Sequence, residues 1–218
     1  MVLVLGIDEA GKGPVIGSLF MAGILFNERD LPKLKNLGVK DSKLLIHKKR
    51  LELEKGILKL SKKHKIIEIT PKEIDSAVNS ENSNLNWLEA EKVSEIINSL
   101  KPDKAIIDCP SPNLKAYENY ILERLKNKKI KLIVEHKADF FHSVVSASSI
   151  IAKIHREKNV EKIEKLVGES IGSGYPSNPV CQNFIKRNYK KYPEIFRKSW
   201  ATYKNIVKIK SQKNIGDY

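Results

Sequence analysis

The sequence predicts an α/β fold: a layered domain with a mixed central sheet flanked by helices. Three observations predict it. Short runs that are apolar at every position, residues 2–5 and 105–107, read as strands buried on both faces. Strand-like and helix-like segments alternate through most of the chain, after two hairpin-like strands at the start. At 218 residues the chain holds one substantial core, with room for a small appended lobe.

Residues 2–5 lead into Gly6-Ile7-Asp8-Glu9-Ala10-Gly11-Lys12-Gly13-Pro14, the stretch that organises the chain. Side chains alternate along a strand, so Asp8 and Glu9 share one face only if the strand ends or kinks there. The glycines and proline that follow permit such a turn. Residues 15–26 are β-rich and interrupted by glycine, and predict a second strand. Residues 27–38 read as a connection. Asp41 or Ser42 can cap a helix that runs to about residue 63, with Leu44, Leu51, Leu53, Ile57, Leu58 and Leu60 on its apolar face. A strand follows at 65–69, then a short helix opened by Thr70-Pro71. Residues 85–100 have the helical period. Residues 104–108 form an apolar strand ending in Asp108, and Cys109-Pro110-Ser111-Pro112 forces a turn. A basic helix is predicted at 112–128 and a strand at 130–134. A long helix runs from about 143 to 166, and a glycine and serine loop covers 168–178. Basic, aromatic-bearing helices fill most of the rest, and the chain looks frayed from about residue 208.

Lys and Arg total 40 against 26 Asp and Glu, a formal charge of +14. So basic a protein suits a polyanion, nucleic acid first among them. An anionic membrane surface, or lysine enrichment of a solvated surface, are the alternatives. The longest apolar stretch, residues 14–26, is too short to span a bilayer. Cys109 and Cys181 fit no zinc or redox spacing, and the N-terminus lacks the features of a signal peptide. A reduced, cytoplasmic setting without membrane association is expected. The glycines at 11, 13 and 17 are spaced one residue too widely for a dinucleotide fingerprint, and no phosphate-loop motif is present.

Asp8-Glu9 and Asp108 each close a predicted strand, and Asp139 lies between a strand and the long helix. Ligands gather beyond the carboxyl ends of strands in open α/β sheets. Four carboxylates converging there cannot all stay ionised without cations. Hard divalent ions are their natural partners, and two such ions about 4 Å apart suit phosphoryl chemistry. An acidic centre in a basic chain points to a nucleic-acid phosphodiester. The small residues Ser146, Ala147, Ser148, Ser149 and Ala152 read as close packing of a buried helix. Cys109 reads as a small buried residue, and His136 and His142 as bystanders flanking Asp139. The lysine runs at 47–50, 62–65 and 126–131 read as solvated helix faces or, together with Tyr189, Tyr192, Arg197, Trp200 and Lys204, as part of a duplex-gripping surface; Trp200 by itself reads as core.

Several segments in order resemble the type 2 ribonuclease H (ribonuclease HII) family, in its archaeal forms, over essentially the whole chain. They are residues 6–14, Asp41-Ser42-Lys43, Asp108, Lys137-Ala138-Asp139 with the helix at 144–153, and Gly172-Ser173-Gly174-Tyr175-Pro176-Ser177. The resemblance implies a ribonuclease H-like fold, with a catalytic domain over residues 1–170 and a C-terminal helical substrate-binding lobe over 171–218. It implies an endonuclease that cuts the RNA strand of RNA–DNA hybrids and single ribonucleotides embedded in duplex DNA, leaving 3′-hydroxyl and 5′-phosphate ends, in ribonucleotide removal and DNA replication and repair. Two ions, Mg2+ or Mn2+, are the implied cofactors. Asp8, Glu9, Asp108 and Asp139 are the implied catalytic and metal-binding acids. Gly11, Lys12, Gly13, Lys43 and Tyr175 are the implied substrate contacts: the glycine turn reads the 2′-hydroxyl, Tyr175 stacks on the next sugar, and Lys43 meets a phosphate. Lys12 stands where most members carry arginine, Asn178 where an acid is common, and Phe140 where many archaeal members have a second acid. A monomer is expected. The alternatives are a non-catalytic hybrid or duplex binding protein of the same fold, and a nuclease for other substrates such as DNA junctions.

Overall fold

The computed structural model describes residues 1–39 and 45–213. Among the described residues five strands form one mixed sheet: β1 (Leu3–Ala10), β2 (Leu19–Asn27), β3 (Lys63–Ile69), β4 (Lys104–Asp108) and β5 (Lys131–Glu135), in the order β3-β2-β1-β4-β5. β2 runs antiparallel to β1, whereas β4 is parallel to β1 and β5 to β4. The helices are α1 (Leu31–Asn36), α2 (His47–Leu60), α3 (Pro71–Val78), α4 (Leu85–Leu100), α5 (Leu114–Arg124), α6 (Ala138–Phe141), α7 (Ser143–Val167), α8 (Pro179–Asn188) and α9 (Ala201–Lys213). None of the described helices is long and apolar enough to cross a membrane.

The chain divides into two compact units. The first comprises Met1–Ala10, Phe20–Glu68 and Leu85–His155, and holds the whole sheet apart from the ends of two strands. Its core packs Val4, Ile24, Phe26 and Ile106 of the sheet against Val144, Val145, Ala147, Ile150 and Ile151 of α7. Gly6 makes that contact possible: a side chain there would lie 2.2 Å from the Val144 carbonyl oxygen. Ser148, one turn further along α7, donates to the Gly6 carbonyl at 2.8 Å. The small residues of this helix therefore do pack closely on the sheet. Ile96 of α4 lies against Gly23 of β2. Gly23 pairs with Ile7, and Gly6 with Ile24, so alternation puts α7 and α4 on opposite faces.

The second unit comprises Gly11–Leu19, Ile69–Asn84 and the chain from Arg156 onward. Its core gathers Val15, Ile16, Ile163, Ile171, Phe184, Ile185, Phe196 and Ile206. Thr70 and Glu73 form a capping box at the start of α3, with Pro71 at its first position. Asp75 of α3 accepts from the Lys198 and Ser199 amides at 2.8 and 2.9 Å.

Several expected boundaries need correction. β1 does not end at Asp8-Glu9 but continues to Ala10, because Met21 and Phe20 extend the ladder opposite Glu9 and Ala10. The second strand begins at Leu19, not near residue 15, because Gly17 holds a positive φ of 86°. The expected connection at 27–38 contains α1. The helix expected at 112–128 is the shorter α5, bounded by the Asn113 cap and an extended Leu125. α9 continues to Lys213, beyond the expected fraying at residue 208. The expected helix start at Asp41 or Ser42 lies outside the described residues.

Candidate active site

Sheet register brings the first two acids together. Ile7 of β1 pairs in parallel with Ile107 of β4, so the next residues, Asp8 and Asp108, are lateral neighbours. Asp8 shares a face with Gly6, and Asp108 with Ile106, which belongs to the α7-side core. Both carboxylates thus project toward α7. Asp139 arrives from α6. Lys137 adopts a left-handed φ of 59° and turns the chain at the start of this helix. The Ala138 amide then donates to Asp108 Oδ1 at 3.0 Å, anchoring the turn. One carboxylate oxygen from each of Asp8, Asp108 and Asp139 lies within 4.8 Å of the others. Asp8 is 5% exposed and Asp139 4%, whereas Asp108 is partly open to solvent.

Glu9 does not join that group. Because β1 runs on, alternation turns Glu9 to the other face, half-buried. Its charge there helps to raise the pKa of the Tyr117 phenol, which burial raises first and Glu89 next.

The group is electrostatically strained in the absence of a cation. Burial, opposed by a hydrogen bond from Ser149 and reinforced by the Asp108 charge, raises the Asp8 carboxyl from 3.8 to about 7. The Glu9 amide, donating to Asp8 Oδ1 at 2.7 Å, and the Lys153 ammonium act in the opposite direction. Lys153 also donates to Ser149 Oγ at 2.9 Å. Ser149 and Lys153 are therefore site residues that the sequence reading missed. Their i, i+4 spacing on a helix facing a carboxylate strand was the available signal. A compact all-oxygen donor set without cysteine or histidine fits a hard divalent cation.

The other expected contacts fall in the second unit, apart from Lys43, which lies outside the described residues. Gly11 takes a φ of 96°, and a side chain there would meet the Ser18 carbonyl oxygen at 3.0 Å. Glycine is required on both counts. Gly13 stands against the Tyr175 ring, where an added Cβ would lie 3.1 Å from Cε1. Tyr175 is 39% exposed, with the Arg156 guanidinium 5.4 Å from its ring centroid. Arg156 also donates to the Ser173 carbonyl, holding the loop that carries the tyrosine. Asn178 caps α8 by accepting from the Cys181 amide at 3.2 Å. His136 Nδ1 lies 3.1 Å from the Cys109 carbonyl oxygen, and His142 pairs with Glu135. Cys109 is buried.

A mixed sheet with three aspartates converging at one end, in a chain of charge +14, fits the class of metal-dependent nucleases of the ribonuclease H type. Comparison with known proteins gives the particular family. The family model "Ribonuclease HII" matches residues 5–203. A ribonuclease HII of Methanococcus maripaludis strain C6 is 44% identical over 213 residues, covering 94% of this chain and 87% of the relative. The crystal structure of ribonuclease H2 from Pyrococcus horikoshii OT3 superimposes with a TM-score of 0.86 at 38% identity, over 94% of this chain and 97% of that one. The ribonuclease HII in the PCNA:RNase HII complex from Archaeoglobus fulgidus gives 0.82 at 35% identity, over 93% and 96%. The chain belongs to the ribonuclease HII family. It is a ribonuclease H, a hydrolase acting on the RNA of RNA–DNA hybrids with divalent metal ions.

Proposed function

We propose that this enzyme is an endonuclease that cuts hybrids internally, and also cuts at single ribonucleotides embedded in duplex DNA. It leaves 3′-hydroxyl and 5′-phosphate ends, and uses two Mg2+ or Mn2+ ions. The convergence of Asp8, Asp108 and Asp139 carries this reading. These three aspartates would form the core of the ligand set, with Asp8, on the central strand β1, the ligand proposed to be shared by the two ions. We also propose Glu9 as the fourth ligand: it faces away from the three aspartates in the fold described above, so its carboxylate must turn toward them when the ions bind. Such ions, when bound, supply activation of the attacking water and stabilisation of the leaving 3′-oxygen. Ser149 and Lys153 hold the Asp8 carboxylate in place and favour its ionised form.

Specificity for RNA falls to the Gly11-Lys12-Gly13 turn and Tyr175. A glycine turn brings backbone donors close to the 2′-hydroxyl, and the partly exposed Tyr175 ring offers a face to the following sugar. Lys43 contacts a phosphate. Residues 1–170 carry the chemistry, and residues 171–218, rich in lysine and arginine, grip the duplex. We take the protein to act as a cytoplasmic monomer. An equivalent of the PCNA complex of the Archaeoglobus relative is a further proposed assembly.

The test is cleavage of a DNA duplex containing one ribonucleotide, in EDTA, Mg2+ or Mn2+, beside an all-DNA duplex. A metal-dependent single cut 5′ to the ribonucleotide is expected, with the all-DNA duplex untouched. Binding without cutting under every metal would favour a hybrid-binding protein. Cutting of all-DNA duplex or junctions would favour another substrate.

A further inference from the structure

Arg197 is fully buried, and its guanidinium is spread across backbone oxygens rather than directed at a surface. Nε donates to the Gly17 carbonyl at 2.9 Å, Nη1 to Lys12 at 2.8 Å and Nη2 to Gly11 at 2.6 Å. Its own amide donates to the Val15 carbonyl at 2.9 Å. Trp200 adds a bond from Nε1 to the Gly13 carbonyl at 3.2 Å, and its ring lies 5.1 Å from the Arg197 guanidinium carbon. The segment around Arg197 thus holds every carbonyl from Gly11 to Gly13.

This arrangement fixes the direction of the amides. In a planar trans peptide, the C=O of one residue and the N–H of the next point opposite ways. With the Gly11 and Lys12 carbonyls turned inward to Arg197, the Lys12 and Gly13 N–H groups face away from it. Gly13 is exposed. Two successive amides directed the same way form a small concavity suited to an oxygen acceptor. The planar guanidinium fork can serve three carbonyls at fixed angles, which a lysine ammonium cannot.

We infer that Arg197 is a positioning residue for ribose recognition. By holding the Gly11 and Lys12 carbonyls, it presents the Lys12 and Gly13 N–H groups as paired donors to the 2′-hydroxyl and adjoining phosphate oxygens of the ribonucleotide. The inference rests on the proposal that this turn meets the ribose. It also accounts for the tolerance of lysine at position 12, since the backbone and not the side chain supplies the donors.

The experiment uses the full chain, labelled with 15N and 13C, in EDTA, titrated with a duplex carrying one ribonucleotide or with the same duplex in all-DNA form. In the wild type, the Lys12 and Gly13 amide signals shift with the ribonucleotide duplex and not with the DNA duplex. If they respond to neither, the turn does not meet the ribose and the underlying reading fails. Arg197→Lys, with its fold checked by circular dichroism and Mn2+ binding at the acids by calorimetry, loses about tenfold in preference for the ribonucleotide duplex, as two weakened hydrogen bonds imply. A responsive wild type together with an Arg197→Lys variant of unchanged preference and unchanged amide shifts overturns the inference alone. Should that variant not fold, scalar couplings across the Arg197 hydrogen bonds in the wild-type complex decide: couplings to the Gly11 and Lys12 carbonyl carbons support the inference, and their absence overturns it.

Discussion

Replacing Asp8 by Asn removes one negative charge from a site that holds it at a cost. The carboxyl stands at about 7 in the metal-free fold against 3.8 for the ordinary group. A folded-state value above the unfolded one means that ionisation opposes folding. The cost is absent below 3.8, grows as the pH rises, and is complete above about 7. At 1.36 kcal/mol per pH unit the full cost is on the order of 4 kcal/mol, more than half of which falls between pH 5 and pH 8. Asparagine has nearly the same shape and can still accept from the Glu9 amide. In EDTA, Asp8→Asn should therefore gain stability over the wild type as the pH is raised. For a chain of this size, the difference in Tm should grow by roughly 5–10 °C between pH 5 and pH 8. Differential scanning calorimetry of both proteins at several pH values measures it directly. A Tm difference that stays constant, or shrinks with pH, would show that Asp8 carries no burial cost, and the case for a cation at this site would lose its electrostatic basis.

Two other substitutions test other parts of the structure. Tyr175→Ala should slow cutting at a single embedded ribonucleotide by at least tenfold while sparing long hybrids; single-turnover rates on both substrates measure it, and equal slowing on the two would argue against sensing of the junction. Gly6→Ala places a methyl group 2.2 Å from the Val144 carbonyl oxygen, a backbone atom that cannot move without shifting α7. A loss of about 1–3 kcal/mol or more is expected from such overpacking, read by urea denaturation, and an unchanged midpoint would mean that the helix does not approach the strand this closely.

Elements with strong local signals were legible in the sequence to the residue. α4 and β4 were read at Leu85–Leu100 and Lys104–Asp108, because an unbroken helical period and an apolar run meet at Lys101-Pro102-Asp103. The end of β1 was not legible, since a strand continues where a neighbour offers hydrogen bonds, and β2 supplies them as far as Ala10. That extension also turns Glu9 away from Asp8, although the glycines and proline downstream would by themselves permit a turn that puts both on one face. The convergence of Asp8, Asp108 and Asp139 was legible from strand ends, because parallel pairing of β1 and β4 turns sequence position into proximity. Ser149 was read as packing, and only the helix orientation reveals its bond to Asp8. Arg197 was hidden for a different reason. One arginine in a basic segment resembles its solvated neighbours, and its burial depends on a loop more than 180 residues away in sequence.

The most direct test of the central claim is the single-turnover rate of hybrid cleavage by Asp8→Asn with Mg2+ or Mn2+, measured beside its affinity for the same hybrid. Loss of a metal ligand should lower the rate by about a thousandfold or more, equivalent to about 4 kcal/mol of transition-state stabilisation. Affinity should stay within a few-fold, because the proposed substrate contacts, at the Gly11-Lys12-Gly13 turn, Lys43 and Tyr175, lie elsewhere on the chain. Cleavage by Asp8→Asn at the wild-type rate would contradict the assignment of these acids to catalysis.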